Sequence, residues 1–275
     1  PIMCFGVEVL PPPPATFSPL TEFTNPSTDA IWFDPTDSSK RLLLPGAGSG
    51  YAIENAFTPS TYRHIELPSI ANTTPGINGL DTTSYGYNEE SALNVSITFD
   101  DTYSQANSPH SWYKPFQPRN IFIVAKPDQA YASQAPWTMP LLGVNPFYNS
   151  YQNGDYQLEY KITSTGISLE FSLWGDGSQT PVRVSTPTDY NAHVIRIFCE
   201  AGQMGIQIDG GTAVTATAPS VLIPSTGYVN SQVHIAGTIQ TNHWFTGEVG
   251  DILICRSVNS GVETQLNDFF TDKWI

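Results

Sequence analysis

The chain has 275 residues, and its 11 Lys and Arg against 25 Asp and Glu give a formal charge of −14 at pH 7. An acidic chain repels phosphate backbones and anionic headgroups, which argues against nucleic acid and membranes as partners. Charged residues make up only 13% of the chain, whereas soluble proteins average about 25%. The polar surface must therefore come from Ser, Thr, Asn, Gln and Tyr, a composition typical of β-rich extracellular or virion proteins.

Residues 1–28 differ from the rest of the chain. Pro11–Pro14 impose polyproline II geometry, a stiff spacer that advances about 3 Å per residue. The segment before them can extend as a strand, and its apolar residues would form the contact surface: Ile2, Phe5, Val7, Val9 and Leu10. We predict an extended N-terminal arm at 1–28 and one domain at 29–275. The arm either anchors the chain on a neighbouring protein or folds back over its own domain.

The three cysteines are Cys4, Cys199 and Cys255. An odd number excludes a complete disulfide framework. Cys199 and Cys255 lie in apolar, strand-like runs, which favours buried free thiols; a Cys199–Cys255 disulfide is the alternative. The first residues lack the basic and apolar regions of a signal peptide, and no run of about 18 apolar residues exists to span a membrane. We therefore expect the protein to stay in the cell that makes it, or to leave without a signal.

Alternating and continuous apolar runs predict strands through much of the chain. Leu93–Phe99 alternates, and Asn120–Pro127 is typical of a buried strand. Further runs follow at 156–162, 167–173, 182–184, 194–198, 204–209 and 213–216. Short strands about ten residues apart, separated by Gly, Asp, Ser or Thr, indicate an antiparallel sandwich. Residues 131–151, which interrupt this pattern, are predicted to form an aromatic loop.

The last thirty residues predict a strand followed by the only convincing helix. β-Branched residues at 249, 252 and 254 favour a strand, and Gly247 and Gly250 indicate a bend or a close backbone approach. Ser260 is predicted as the N-cap, with Glu263 completing a capping box. The apolar residues of the following segment recur at helical spacing and predict packing against a sheet: Val262, Leu266, Phe269, Phe270 and Trp274.

Three segments of the chain carry recognisable motifs. They are 32–39 at the start of the domain, 206–211 in the middle, and 245–255 with Lys273-Trp274 at the end. Together they resemble the concanavalin A-like, or laminin-G-like, jelly-roll modules of bacterial and phage proteins. The resemblance implies an all-β fold, namely a concanavalin A-like antiparallel β-sandwich (jelly roll) with one C-terminal helix and, here, an extended N-terminal arm.

The resemblance also assigns roles to single residues. It implies that Trp32 and Asp34 are structural and tie the first strand to the rest of the sandwich. Asp251 stands where the family usually has Glu, and Cys255 where it often has Tyr. The family's central acidic motif has only a loose counterpart at 99–103.

No catalytic constellation is evident in the sequence. The chain lacks the paired carboxylates on one strand that the glucanase relatives use, a nucleophile elbow, and the histidine spacing of a zinc enzyme. Glu159 and Glu170 lie on separate predicted strands and are interpreted as solvent-facing residues. We therefore predict a non-enzymatic protein. A divergent glycan hydrolase is kept as an alternative.

Two kinds of binding site remain candidates. Asp100-Asp101 and Asp34 with Asp37 offer loop oxygens that suit calcium, although no complete calcium loop is present; no cofactor is predicted and the metal ligands are unknown. Aromatic side chains in loops can stack on sugars or fill protein interfaces. The candidates for carbohydrate or partner binding are Trp112, Tyr113, Trp137, Tyr148 and Tyr151.

The favoured hypothesis is a virion structural protein, a phage capsid decoration or accessory protein anchored through its arm to other capsid or tail proteins. It would be a homo-oligomer assembled in the host cytoplasm. The alternative is a carbohydrate-binding adhesin on a phage tail or cell surface, with surface glycans as ligands.

Overall fold

The computed structural model describes residues 17–23, 30–34, 37–43, 51–54, 56, 64–67, 80–81, 95–97, 119–129, 132, 135–144, 155–178, 180–222, 233–235, 245 and 247–275. The predicted anchoring residues of the arm lie outside these ranges: Ile2, Phe5, Val7, Val9 and Leu10. The paired carboxylates Asp100-Asp101 lie outside them as well.

The described residues form sixteen strands, two α-helices and a short 3-10 helix at Ser38–Lys40. The strands are β1 (Ala30–Phe33), β2 (Arg41–Leu43), β3 (Tyr51–Glu54), β4 (His64–Leu67), β5 (Leu80–Asp81), β6 (Val95–Ile97), β7 (Arg119–Pro127), β8 (Trp137–Val144), β9 (Tyr156–Thr163), β10 (Gly166–Leu173), β11 (Val182–Thr188), β12 (His193–Glu200), β13 (Gln203–Ile208), β14 (Val214–Thr217), β15 (Val233–Ile235) and β16 (Gly247–Arg256). The helices are α1 (Pro19–Glu22) and α2 (Ser260–Trp274).

Two antiparallel sheets face each other. The seven-stranded sheet runs β1-β16-β7-β12-β13-β14, with β5 also pairing with β16. The nine-stranded sheet runs β11-β10-β9-β8-β15-β6-β4-β3-β2. The prediction of an all-β sandwich with one C-terminal helix is therefore confirmed.

The core lies between the two sheets because each strand turns alternate side chains inward. Leu158 and Tyr160 of β9, Phe171 of β10 and Ile197 of β12 are fully buried there. Each large apolar side chain contributes about 1.5 to 3 kcal/mol of burial free energy. This inner core holds the two sheets together. The opposite, outer face of each sheet is not part of it.

Helix α2 covers the outer face of the seven-stranded sheet. Its buried residues Val262, Leu266 and Phe270 form a second core with Phe122 of β7 and Leu253 of β16. The predicted apolar face of the helix is thus confirmed. It gives this sheet two buried faces, which explains why β7 and β16 read as almost continuous apolar runs.

The start of α2 differs from the prediction by one residue. Asn259, not Ser260, is the N-cap, and its side-chain oxygen accepts from the backbone N–H groups of Gly261 and Val262, each over 3.0 Å. Asn caps as well as Ser does, so composition alone did not separate them. Glu263 lies in the first turn but forms an ion pair with Arg196 of β12 at 2.8 Å.

Residues 17–23, part of the predicted arm, pack on the same outer face. Ser18 caps the single-turn helix α1 by accepting from the backbone N–H of Leu20. Phe23 is buried in the second core, and the ring of Phe17 meets that of Phe269 edge-on at 6.4 Å between centroids. This part of the predicted arm therefore lies on its own domain.

Cys199 and Cys255 are buried and are not joined by a disulfide, so the alternative of a Cys199–Cys255 disulfide is wrong. Cys199 belongs to the inner core between the sheets, whereas Cys255 belongs to the second core under α2. The two side chains leave the seven-stranded sheet on opposite faces, on strands separated by β7. A disulfide cannot bridge two side chains that point apart.

Several strands were not foreseen, among them β2 to β5 and β8. The predicted aromatic loop at 131–151 contains β8, which pairs with β9 and β15. The register shifts between Pro140 and Leu142, so Met139, Leu141 and Leu142 are all buried and the period-two signal is lost. Within the part of the chain that the structure describes, neither helix has the length and apolar character needed to cross a membrane.

Candidate functional site

The β9–β10 hairpin organises the outer face of the nine-stranded sheet. Thr163 lies opposite Gly166, which leaves Ser164-Thr165 as the turn. The Thr163 hydroxyl accepts from the backbone N–H of Thr165 over 3.3 Å and donates to the carbonyl of Gly166 over 3.1 Å. Pairing then continues without a shift to the far ends of both strands.

Alternation along β9 decides what this outer face carries. Leu158 and Tyr160 point into the inner core, so Gln157, Glu159 and Lys161 lie on the opposite face. These three residues are polar, in contrast to the apolar outer face of the other sheet under α2. The outer face of the nine-stranded sheet therefore presents hydrogen-bonding groups.

The neighbouring strands extend this polar surface. Glu170 of β10 lies directly opposite Glu159, and Arg183 of β11, which lies opposite Ser172, is a diagonal neighbour of Glu170. Gln157, Glu159, Lys161, Glu170 and Arg183 are called here the outer charge network. It spans three adjacent strands within one sheet, so the backbone ladder fixes the spacing of its members.

Direct contacts connect the network. The Lys161 ammonium forms a short ion pair with Glu159 and lies 3.9 Å from Glu170 Oε1. Arg183 Nε lies 3.4 Å from the same Glu170 oxygen. Gln157 donates to Glu159 Oε2 over 2.9 Å. Two carboxylates and two cations thus alternate across the sheet.

Burial distinguishes the two carboxylates. The side chain of Glu159 is only 8% exposed, whereas that of Glu170 is 22% exposed. Burial raises the pKa of Glu159, and the Lys161 ammonium partly opposes this shift. The interpretation of Glu159 as a solvent-facing residue is therefore wrong, because it lies on the outer face but is covered.

The outer charge network contains both hydrogen-bond acceptors and hydrogen-bond donors. Carboxylates accept only, while Lys and Arg donate only. Lys161 also reaches the Thr138 hydroxyl of β8 at 3.4 Å. A ligand with many hydroxyl groups can donate to the acids and accept from the cations at once.

A different polar cluster ties α2 to the seven-stranded sheet. Asp251 of β16 is buried and accepts from the indole N–H of Trp32 over 2.6 Å and from the indole N–H of Trp274 in a short bond. The Lys273 ammonium lies 2.8 Å from Asp251 and 2.7 Å from Asp34. The implied structural role of Trp32 and Asp34 agrees with this geometry.

Arg196 forms a third cluster at the side of α2. It is 5% exposed and lies over the Phe198 ring with 4.3 Å to the centroid. Its Nε donates to Asn120 over 2.6 Å, and its Nη1 reaches Glu263 over 2.8 Å. Because protein groups already satisfy this guanidinium, we interpret the cluster as structural.

One of the five aromatic candidates predicted from the sequence, Trp137, lies among the described residues. Trp112, Tyr113, Tyr148 and Tyr151 lie outside the described residues. Trp137 begins β8 opposite Ile162 and packs, partly buried, against the inner core. A sugar-binding role for these residues stays a prediction.

Two of the four carboxylates considered for calcium, Asp34 and Asp37, lie among the described residues. Asp37 accepts from the backbone N–H and hydroxyl of Ser39, and Asp34 is paired with Lys273. In the described ranges, no three His, Cys, Asp or Glu side chains cluster in a way that could hold a metal ion.

The outer charge network was missed because each residue was considered alone. The sequence does contain a signal for this pairing. If Ser164-Thr165 form the turn of a hairpin, the register of the two strands places Glu159 opposite Glu170. Two carboxylates facing each other across a strand pair repel and require cations nearby. Lys161 and Arg183 supply them.

Comparison with known proteins supports the fold. No protein-family model matches the chain, and no curated protein matches it. Among solved structures, it is similar to the Trypanosoma rangeli sialidase in complex with 2,3-difluorosialic acid, with a TM-score of 0.52 and 14% identity over 88% of this chain. The similarity covers 33% of the sialidase chain, about a third of its length.

Two smaller structures are also similar. The CBM40 of the Ruminococcus gnavus IT-sialidase aligns with a TM-score of 0.45 and 14% identity, over 63% of this chain and 91% of that one. The SAP-like pentraxin of Limulus polyphemus aligns with a TM-score of 0.40 and 14% identity, over 54% of this chain and 68% of that one. The two antiparallel sheets form a β-sandwich that is consistent with the predicted concanavalin A-like jelly roll. At these identities the similarities concern the fold alone.

Proposed function

We propose that this protein is a carbohydrate-binding β-sandwich whose ligand lies on the outer face of the nine-stranded sheet. The observation that carries the proposal is the outer charge network: donors and acceptors from three adjacent strands, connected by contacts and held in register. Small-molecule sites need a few precisely placed polar groups on a rigid support. A sheet face provides that support without any loop movement.

The chemistry of the network suits sugar hydroxyls. A hydroxyl group both donates and accepts, so neighbouring hydroxyls on a pyranose ring can pair with Glu170 and Arg183 together. Hydrogen bonds to charged groups contribute about 1.5 to 3 kcal/mol each. The similarity to the Trypanosoma rangeli sialidase supports the β-sandwich fold of the proposal and carries no argument about which sugar is bound.

Binding is proposed without hydrolysis. Retaining glycosidases need one carboxyl group as acid and a second as nucleophile. Here Lys161 lies between Glu159 and Glu170 and occupies the space between them. An assay with aryl glycosides and reducing-end detection tests this point, and turnover that disappears in Glu159→Gln would contradict it.

A glycan array of the purified chain, followed by calorimetry on each hit, tests the proposed function. We expect saturable binding to at least one glycan class, and loss of most of that binding in Lys161→Met. The matched control is Asp268→Asn, which removes one exposed charge from α2 on the other side of the sandwich. Binding lost equally in both variants, or no binding at all, would contradict the proposal.

The virion-decoration hypothesis gains no support from the comparisons. It depends on the arm, of which residues 17–23 pack on the protein's own domain. Capsid or tail partners, homo-oligomerisation and a virion location stay predictions. Particle attachment that is lost on deleting residues 1–16, with glycan binding intact, would favour that hypothesis.

A further inference from the structure

The charges of the outer charge network cancel. Glu159 and Glu170 carry two negative charges, and Lys161 and Arg183 carry two positive ones. Each cation lies within 4 Å of a carboxylate, since Lys161 touches both acids and Arg183 touches Glu170. No cation in the network is left over to pair with a charged ligand.

Exposure decides which acid a ligand would meet. Glu170 is 22% exposed and lies beside Arg183, which is 52% exposed. Glu159 is covered and forms an ion pair with Lys161. A ligand approaching Arg183 therefore meets Glu170 at the same time.

We propose that the ligand is an uncharged glycan and that Glu170 is the residue that excludes acidic sugars. This inference rests on the proposed function of the outer face. A ligand carboxylate that paired with Arg183 would lie next to the Glu170 carboxylate, and like charges in contact oppose binding. The formal charge of −14 on the whole chain adds a repulsive field for any anionic ligand. Hydroxyl groups carry no such penalty and use both partners.

Exclusion by a repulsive group is a recognised source of specificity. It also leads to an unusual prediction, because removing one negative charge should broaden the range of ligands that the site binds. In Glu170→Gln the network keeps two cations and one acid, so Arg183 becomes available for a ligand carboxylate. Arg183→Gln changes the network by one charge in the opposite direction and is the matched control.

The experiment compares paired neutral and acidic oligosaccharides by array and calorimetry: lactose with α2,3-sialyllactose, and galactotriose with trigalacturonate. For the wild type we expect the neutral member of the bound pair to bind at least about tenfold more tightly, a ratio that corresponds to about 1.4 kcal/mol. Glu170→Gln should reduce that ratio by about tenfold or more. Arg183→Gln should weaken the neutral ligand without admitting the acidic one.

Three results would overturn the inference. The wild type could prefer acidic glycans, with affinity that falls as salt rises; the proposed function would then stand and the specificity would be wrong. Glu170→Gln could be folded, by thermal unfolding, and leave the ratio unchanged. If neither member of any pair nor any other array glycan bound, the proposed function itself would fail.

Discussion

Trp32 donates its indole N–H to Asp251 Oδ1 over 2.6 Å and so joins β1 to β16, the first and last strands among the described residues. The two residues are 219 positions apart. Trp274 donates to the other oxygen of the same carboxylate and brings the end of α2 to the same point. One buried acid therefore joins β1 to β16 and to the end of α2.

Trp32→Phe tests the importance of this bond. Phe keeps most of the ring packing but removes the N–H donor, which leaves Asp251 with one fewer partner in a buried site. We expect a loss of about 1 to 3 kcal/mol in unfolding free energy, measured by urea denaturation. Asp268→Asn, on the exposed side of α2, should change stability by less than about 0.5 kcal/mol. Equal stability of Trp32→Phe and wild type would show that the indole contributes only packing.

Asp251 predicts how stability depends on pH. Burial and the nearby Asp34 carboxylate raise its pKa from the ordinary 3.8 to about 6, against the opposing effect of Lys273. The native carboxyl group therefore binds a proton more tightly than the unfolded one. Stability should be greatest below about pH 4 for this group and fall as pH rises to about 6, by up to roughly 1.4 kcal/mol per pH unit.

The variant Asp251→Asn isolates this contribution. Glu159 also has a raised pKa, so the wild type alone would mix two groups with the same sign. Unfolding free energies from pH 4 to 7 should decline less steeply in Asp251→Asn than in the wild type. Parallel curves would mean that Asp251 titrates alike in both states.

His193 predicts a second pH effect in a higher range. Its Nδ1 lies 2.7 Å from Asp209 and its Nε2 lies 3.0 Å from Asp189. Both carboxylates raise the pKa of His193 above the ordinary 6.5, and Asp209 does so most strongly. The stabilisation is complete below about 6.5 and is lost as pH rises through the native pKa.

An NMR titration of the imidazole measures the His193 shift directly. Thermal unfolding from pH 6 to 9 should show a decline in wild type that is smaller in His193→Gln. A native pKa at or below 6.5 would contradict the contacts with Asp189 and Asp209.

We predict that adding a single methyl group at Gly247 lowers the unfolding free energy strongly. Its φ is +147°, and a Cβ there would lie 2.0 Å from the carbonyl oxygen of Lys126. Gly177 also has positive φ, +69°, but has open space around it. Gly177→Ala should cost about 1 to 2 kcal/mol from backbone strain alone, and Gly247→Ala should cost clearly more because β16 must move away from β7. Equal losses in denaturant unfolding would contradict the steric argument.

The sequence predicted most of the strands after residue 119, because there the apolar period and the turn residues agree. Asp209 and Gly210, both with positive φ, form the turn after β13, and an Asp-Gly pair is a strong sequence signal for such a turn. β8 was missed because Pro140 and the shifted register hide its alternation. In such a strand the packing, rather than the local period, decides the structure.

The candidate site could be predicted only in part. Its charged residues can be identified in the sequence, but Glu159 and Glu170 come together only through pairing across a hairpin. Arg183 joins them from a third strand. The burial of Glu159 depends on what covers the sheet, which no local pattern contains. The aromatic candidates drew attention because large side chains are conspicuous, although Trp137 serves the inner core.

The opposite orientation of Cys199 and Cys255 gives the molecule two internal reporters. Burial raises the pKa of the Cys255 thiol and suppresses its reactivity, and Cys199 is equally enclosed between the sheets. If α2 lifts from the sheet while the sandwich stays closed, a thiol reagent will modify Cys255 first. If the molecule opens in one step, both thiols will react at the same rate. With Cys4 replaced by Ser, the order of labelling would reveal whether the helix is a separate cooperative unit.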